Sequence, residues 1–410
     1  MLSWANRFNI CAFLDNHQYR ASDTSVECLV ACGSTNCLVL PASLQQAELF
    51  LQEHKGKWIF GHLGYDVKNQ IESLQSSHPD YIQFPDLFFF VPAIVILLKE
   101  QHLFITVYDQ SDAAAIYEQI NTAMPAQASP QPAINIHPRM SRETYVSTIS
   151  QLKQHIQRGD CYEINYCQEF YATDIVIDPL SMYQQLTTVS PNPFACYYRL
   201  NNQYLLCASP ERFLQKKGNR LLSQPIKGTV PRNLENEESD RLLIEQLRNS
   251  EKDKSENVMV VDLVRNDLSK VCEKGSVTVS ELFGIYSFPQ VHQMISTVEG
   301  VLDASHGFEG IVKACFPMGS MTGAPKKKVM ELIEQYELTK RGLYSGAVGY
   351  INPNGDFDFN VVIRSILYNS SNRYLGYQVG GGITFYSDPE KEYEECMVKA
   401  AAIRKVLSGN

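Results

Sequence analysis

The chain has 410 residues, with 36 Lys and Arg against 45 Asp and Glu, and its net charge of −9 leaves no basic footprint for nucleic acid or an anionic membrane. Its 44% hydrophobic, 20% charged and 10% aromatic residues are those of a globular protein and exclude a disordered one. Eleven scattered cysteines without a C-x-x-C, of which Cys28, Cys32 and Cys37 form only a loose group, read as reduced thiols of a cytoplasmic protein and lack the ligand spacing of a zinc site. The N-terminal stretch MLSWANRFNICAFLDNHQYR has neither the charged start nor the apolar run of a secretory signal, so export is not expected.

In chain order, CLVLP and KWIFGHLGY read as short strands, and ASLQQAELFLQEHKG as a helix. The apolar run FFFVPAIVILL, Phe88 to Leu98, is too short to cross a bilayer; after the polar turn KEQH, LFITVY reads as its hairpin partner. Residues 121–138, rich in Pro, Ala, Gln and Ser, predict a linker or long loop between an N-terminal region, 1–120, and a larger region, 139–410. Beyond it, Tyr145, Ile149, Leu152 and Ile156 predict an amphipathic helix, and CYEINYCQEFYA alternates as a strand. Further strands are expected at FACYYRL, QYLLCASP, LYSGAVGYI, FNVVIRSILY and RYLGYQVGGGITFY. Further helices are expected at KDKSENVMVVDLVRNDL, GFEGIVKACF, APKKKVMELIEQYE and DPEKEYEECMVKAAAIRKVL. Strands and helices come in blocks, which favours an α+β fold with antiparallel sheets over a doubly wound one.

Chemistry is legible at a few places. Lys227 in SQPIKGTVPR lies between Pro225 and Pro231, beside Gly228, so its amine is aimed, able to serve as nucleophile, base or anion clamp. As a nucleophile it must be neutral, which from an ordinary lysine pKa costs roughly 4.6 kcal/mol at pH 7. Glu392, Glu395 and Lys399 share one face of a predicted helix, and Glu256 sits beside apolar positions of another. Converging from different helices, these carboxylates would make a hard oxygen site for Mg²⁺ held together with an anionic substrate; alone, they are solvated faces. GSMTGAPKKK fails the phosphate-loop pattern because Ala324 and Pro325 follow Gly323. Gly380 to Gly382 lack a dinucleotide fingerprint but can offer backbone N–H groups to a carboxylate, or form a strand bulge. His292, in FPQVHQMIST, suits a core or a catalytic histidine.

The segments SPERF, PIKGTVPR, ENVMVVDLVRNDL, FPQVHQMIST, FPMGSMTGAPKKKVMELI, GAVGY, VVIRS, GGGI and EYEECMVKA, in this order over residues 139 to 407, together resemble the chorismate-utilising enzymes. The resemblance implies a large single unit in which two mainly antiparallel β-sheets pack as a sandwich with helices outside. Lysine in P-I-K-G-T, where the anthranilate-forming branch carries alanine, is similar to the branch that forms 4-amino-4-deoxychorismate on the way to p-aminobenzoate and folate. The implied chemistry is addition of the Lys227 amine to C2 of chorismate with loss of the 4-hydroxyl, then attack of ammonia at C4. Ammonia would come from a separate glutaminase subunit. By the same resemblance, Glu211 is the expected general acid, Glu256, Glu392 and Glu395 surround the Mg²⁺, and Tyr350, Arg364, Gly381, Gly382 and Lys399 hold substrate carboxylates. His292 and Ser320 fall on active-site positions. Mg²⁺ and the neighbouring cations are expected to favour the neutral amine of Lys227. Two departures stand out: Val230 occupies a position where the family often has arginine, and no Leu-Leu-Glu-Ser segment of the kind used for tryptophan feedback is present. The alternatives are another reaction of chorismate, chiefly anthranilate formation, or a non-catalytic binding subunit.

Overall fold

The computed structural model describes residues 1–19, 26–123, 133–288 and 291–409. Two antiparallel sheets, of eleven and ten strands, face each other. The path of the first runs Gly323–Ala324, Glu163–Ala172, Tyr374–Ile383, Ser365–Asn369, Gln203–Ser209, Phe194–Leu200, Ile10–Asp15, Cys28–Cys32, Ile94–Lys99, His102–Val107. The second runs Ile226–Pro231, Val291–Val301, Arg220–Gln224, Arg212–Lys217, Phe357–Asn360, Ala347–Ile351, Ile59–Leu63, Leu87–Val91, Asn36–Cys37. Strands of residues 1–107 thus extend both sheets, so the N-terminal region shares the core of the remainder. Of the expected linker, residues 124–132 lie outside the described residues; its flanks are the end of a helix, Ala113–Thr122, and a two-residue strand, His137–Pro138.

Alternation explains the layers. In the strand Phe194–Leu200, Tyr198 enters the inter-sheet core with Phe60, Phe88 and Phe359, while its neighbour Tyr197 points the other way, into a second core with Tyr145, Ile149, Leu152 and Tyr183. The predicted amphipathic helix is Arg142–Gln157, capped by Ser141, whose side chain accepts from Thr144 N. The sandwich with helices outside is what the resemblance implied. Phe88 to Leu98 is not one strand, however. It breaks at Pro92, which has no N–H for a ladder, and the halves Leu87–Val91 and Ile94–Lys99 belong to different sheets. Only the second half forms the hairpin with His102–Val107. No described helix is long and apolar enough to cross a membrane.

The helix Glu251–Ser269 carries Lys252 and Glu256 and packs Val260, Val261, Val264 and Leu268 into the inter-sheet core. Its first turn is held by the Ser250 side chain, which accepts from Asp253 N. Ser250→Ala is expected to lower stability by about 1 kcal/mol in a denaturant titration.

Candidate active site

A cavity of about 410 Å³ opens beside the strand of Lys227 and is lined by Glu211, Lys227, Lys252, Asp253, Glu256, Ser320, Arg364, Gly382, Glu395 and Lys399, among others. That is the size and character of a site for a small, charged molecule. Lys227 is buried on the strand Ile226–Pro231, and its Nζ donates to Glu163 Oε1 at 2.7 Å. Glu163 is 2% exposed at the start of the strand Glu163–Ala172, and its Oε2 accepts no hydrogen bond among the described residues. A Cβ at Gly382 would lie 2.5 Å from Lys227 Nζ and 2.6 Å from Glu163 Oε1, so a glycine is what lets this pair form. Gly323, at φ +146, is needed for a similar reason, since a Cβ there would meet the Glu163 carbonyl oxygen.

Burial opposes the charge of Lys227, but the carboxylates of Glu163, Glu256 and Glu211 outweigh it and hold the ammonium above its ordinary pKa. The resting lysine is therefore protonated, with a carboxylate in contact to accept the proton. Glu211 stands at the turn after the strand Gln203–Ser209, its N–H donating to Ser209 Oγ and its carbonyl accepting from Val361 N. Burial pushes its carboxyl up to about 7, against the opposing influence of the Ser320 hydroxyl and the Lys227 ammonium. Ser320 is buried beside Glu211. A carboxylic acid that still carries its proton near neutrality is suited to protonating a leaving group.

The carboxylates predicted from separate helices do converge, and a lysine stands among them. Lys252 Nζ lies 3.4 Å from Glu392 Oε1, 3.7 Å from Glu395 Oε2 and 3.8 Å from Glu256 Oε1. Burial pushes Glu256 up to about 7, and its Oε1 accepts no hydrogen bond among the described residues. Glu395 is held down at about 2, chiefly by Lys399, whose Nζ is 2.7 Å away. As they lie, no three carboxylate, imidazole or thiol side chains among the described residues are close enough to coordinate an ion. The donor chemistry nevertheless fits a hard divalent cation: oxygens from three carboxylates face one positive centre, and one of those oxygens lacks a hydrogen bond.

Strand alternation sets which of the other predicted residues line the cavity. Gly380 and Gly382 line the cavity, whereas Gly381 faces the helix Pro389–Lys399, a Cβ there lying 3.2 Å from Glu392 Oε2. Val291 and Gln293 line it too, but His292 between them points away, wholly buried between Ser287 Oγ at 2.8 Å and Asp240 Oδ1 at 2.9 Å. Tyr350 does not line this cavity. It borders a neighbouring one of about 200 Å³, with its ring 5.6 Å from Trp58, and Tyr344, six residues earlier, lines the site instead. Arg364 lines the cavity from a left-handed backbone at φ 53, its Nη1 donating to the Lys399 carbonyl. Lys399 Nζ also donates to the Gly380 carbonyl. Glu163, Lys252 and Tyr344 escaped the sequence reading. Lys252 was within reach of it, four residues before Glu256 on one helix face. The signal for Glu163 was an acidic residue on a strand face with Asn165 and Cys167, both buried.

Dry sheets with a charged pocket between strand ends and helices, a paired lysine and a protonated carboxyl define an enzyme site for a small anionic substrate. Residues 14–405 match the chorismate binding enzyme family, and the chain belongs to it. Among its relatives it is 35% identical to aminodeoxychorismate synthase component 1 of Klebsiella aerogenes, over 84% of this chain and 75% of that one. It is 37% identical to an anthranilate synthase component I-like protein of Synechocystis, over 86% of this chain and 73% of that one. The crystal structure of anthranilate synthase component I from Streptococcus pneumoniae shares the fold, with a TM-score of 0.79 at 24% identity over 95% of this chain and 96% of that one.

Proposed function

We infer that this chain is the chorismate-aminating component of an aminodeoxychorismate synthase, converting chorismate and ammonia to 4-amino-4-deoxychorismate through a covalent Lys227 intermediate. The observation that carries the reading is Lys227, paired with the buried Glu163 and lining one cavity with the high-pKa Glu211. Lys227 hands a proton to Glu163 and its free amine adds at C2 of the ring. Glu211 gives its proton to the departing 4-hydroxyl, which leaves as water. Ammonia then attacks C4, the C2–N bond breaks, Glu163 returns the proton to Lys227, and the C4 ammonium restores the proton of Glu211. Arg364 and Lys399 face the substrate carboxylates, and the enolpyruvyl group is retained.

Glu256, Glu392 and Glu395 are the residues that would hold Mg²⁺, which when bound supplies positive charge for a substrate carboxylate. Stripping divalent metal with a chelator is expected to lower product formation at least about tenfold, with recovery on adding Mg²⁺ and no change in circular dichroism. In the cell, ammonia would be delivered by a separate glutaminase subunit.

The test is incubation of the purified protein with chorismate, Mg²⁺ and ammonium, followed by mass spectrometry of the products and of the peptide containing Lys227. The expected product has an amino group in place of the hydroxyl and an intact enolpyruvyl group, with a chorismate-derived adduct on Lys227 at early times. Anthranilate as the product would overturn the reading in favour of the alternative reaction, and chorismate binding without turnover would make the chain a binding subunit.

A further inference from the structure

Lys252 stands where a metal ion is needed. Its ammonium is within 3.4 to 3.8 Å of Glu392, Glu395 and Glu256. The side chains of Glu392 and Glu256 are 2% and 11% exposed, whereas that of Lys252 is 47% exposed. A divalent cation such as Mg²⁺ draws carboxylate oxygens to roughly 2.1 Å. The same centre cannot also hold an ammonium, because two cations at contact distance repel strongly. Two of the carboxylates have little freedom to leave: Glu392, on the helix Pro389–Lys399, packs against Gly381, and Glu256 sits on a helix anchored in the core; Glu395 is 44% exposed and is held instead by Lys399 at 2.7 Å. The lysine is free to leave, since its flexible stem reaches solvent and its head can be rehydrated there.

We propose that Lys252 is a built-in counter-ion that holds the metal position and is displaced by the metal, so that cation binding is an exchange of ammonium for divalent ion. This rests on the reading of Glu256, Glu392 and Glu395 as metal ligands. Until a metal displaces it, Lys252 keeps the three carboxylates facing one centre, because its charge offsets their mutual repulsion. It also makes the site selective, because an incoming ion must interact with the carboxylates more strongly than the tethered ammonium does, and a monovalent ion has no advantage in charge. Lys252 is thus a residue that sets metal affinity without being a ligand.

The experiment measures metal binding directly, without substrate. Chelator-stripped protein is titrated with Mn²⁺, with the free ion followed by its electron paramagnetic resonance signal, and the Mg²⁺ affinity is obtained by competition. Lys252→Met, which keeps the apolar stem, is expected to bind Mn²⁺ at least about tenfold more tightly than the parent protein. Lys252→Arg, which keeps the charge, should bind no more tightly. Lys254→Met makes the same change in net charge two residues along the helix, where Lys254 pairs with exposed Glu251, and should stay within about twofold. Glu392→Gln should lose the site, and thermal melts confirm that each variant is folded. If Lys252→Met binds no more tightly than the parent or than Lys254→Met while Glu392→Gln abolishes binding, the metal site stands and the displacement idea is overturned. If the parent protein and Lys252→Met both fail to bind Mn²⁺, or Glu392→Gln binds as the parent does, the ligand assignment falls and the proposal with it.

Discussion

Glu211→Gln should lower the rate of chorismate amination by about 10²- to 10⁴-fold while making the protein more stable at pH 8. Both effects come from one displacement, because burial raises the Glu211 carboxyl from 4.5 to about 7. For a carboxyl raised in this way the folded state binds the proton more tightly than the unfolded state. Its stability cost is absent below pH 4.5, grows as pH rises, and is complete above about 7. The whole difference is worth roughly 3 kcal/mol. Glutamine has no such cost but forfeits the attraction that Glu211 gives the Lys227 ammonium, so a net gain of about 1 to 3 kcal/mol is expected at pH 8 and little at pH 4. In the parent enzyme the rate should fall as pH passes above about 7, where Glu211 loses the proton that the leaving hydroxyl needs. Melting curves at the two pH values, with rates measured between pH 6 and 9, check these signs. Undiminished turnover in the variant would remove Glu211 from the acid role.

Lys227→Met should remove activity by at least about 10³-fold and also destabilise the fold by about 3 to 5 kcal/mol. The second effect arises because Glu163 would be left as an unpaired buried carboxylate whose Oε2 already has no hydrogen bond. Loss of activity alone would therefore be ambiguous, and a double variant resolves it. Lys227→Met with Glu163→Leu replaces the pair by apolar groups of similar volume, which is expected to restore most of the stability and none of the activity. Thermal melts alongside product analysis separate the two losses. Amination by the well-folded double variant would mean that the amine of Lys227 takes no part in the chemistry.

Periodicity carried the reading of the secondary structure wherever an element is long and one-sided. Arg142–Gln157 and Glu251–Ser269 end within a residue or two of their expected bounds, because an apolar stripe and a serine cap are local signals. The helices Ala113–Thr122, Pro179–Val189 and Glu237–Asn249 went unread. Glu237–Asn249 buries only Asp240 and Leu247, so its stripe is thin. The break at Pro92 was visible as a proline, but not the change of sheet that it marks, since an apolar run reads alike whether one core or two receive it.

The sequence by itself determined the family, through ordered short motifs, and singled out Lys227, Glu211, Glu256 and the Glu392, Glu395, Lys399 face. These are residues whose type is unusual for their immediate neighbours or whose spacing places them on one helix face. Tertiary structure alone decided what each of them meets: Glu163 against Lys227, Lys252 among the carboxylates, Tyr344 in place of Tyr350, and His292 turned toward Asp240. The partners lie 64 residues apart for Lys227 and Glu163, and 140 for Lys252 and Glu392. Strand and helix periods say which way a side chain points relative to its own element, and the pairing of the sheets determines which other element stands there to receive it.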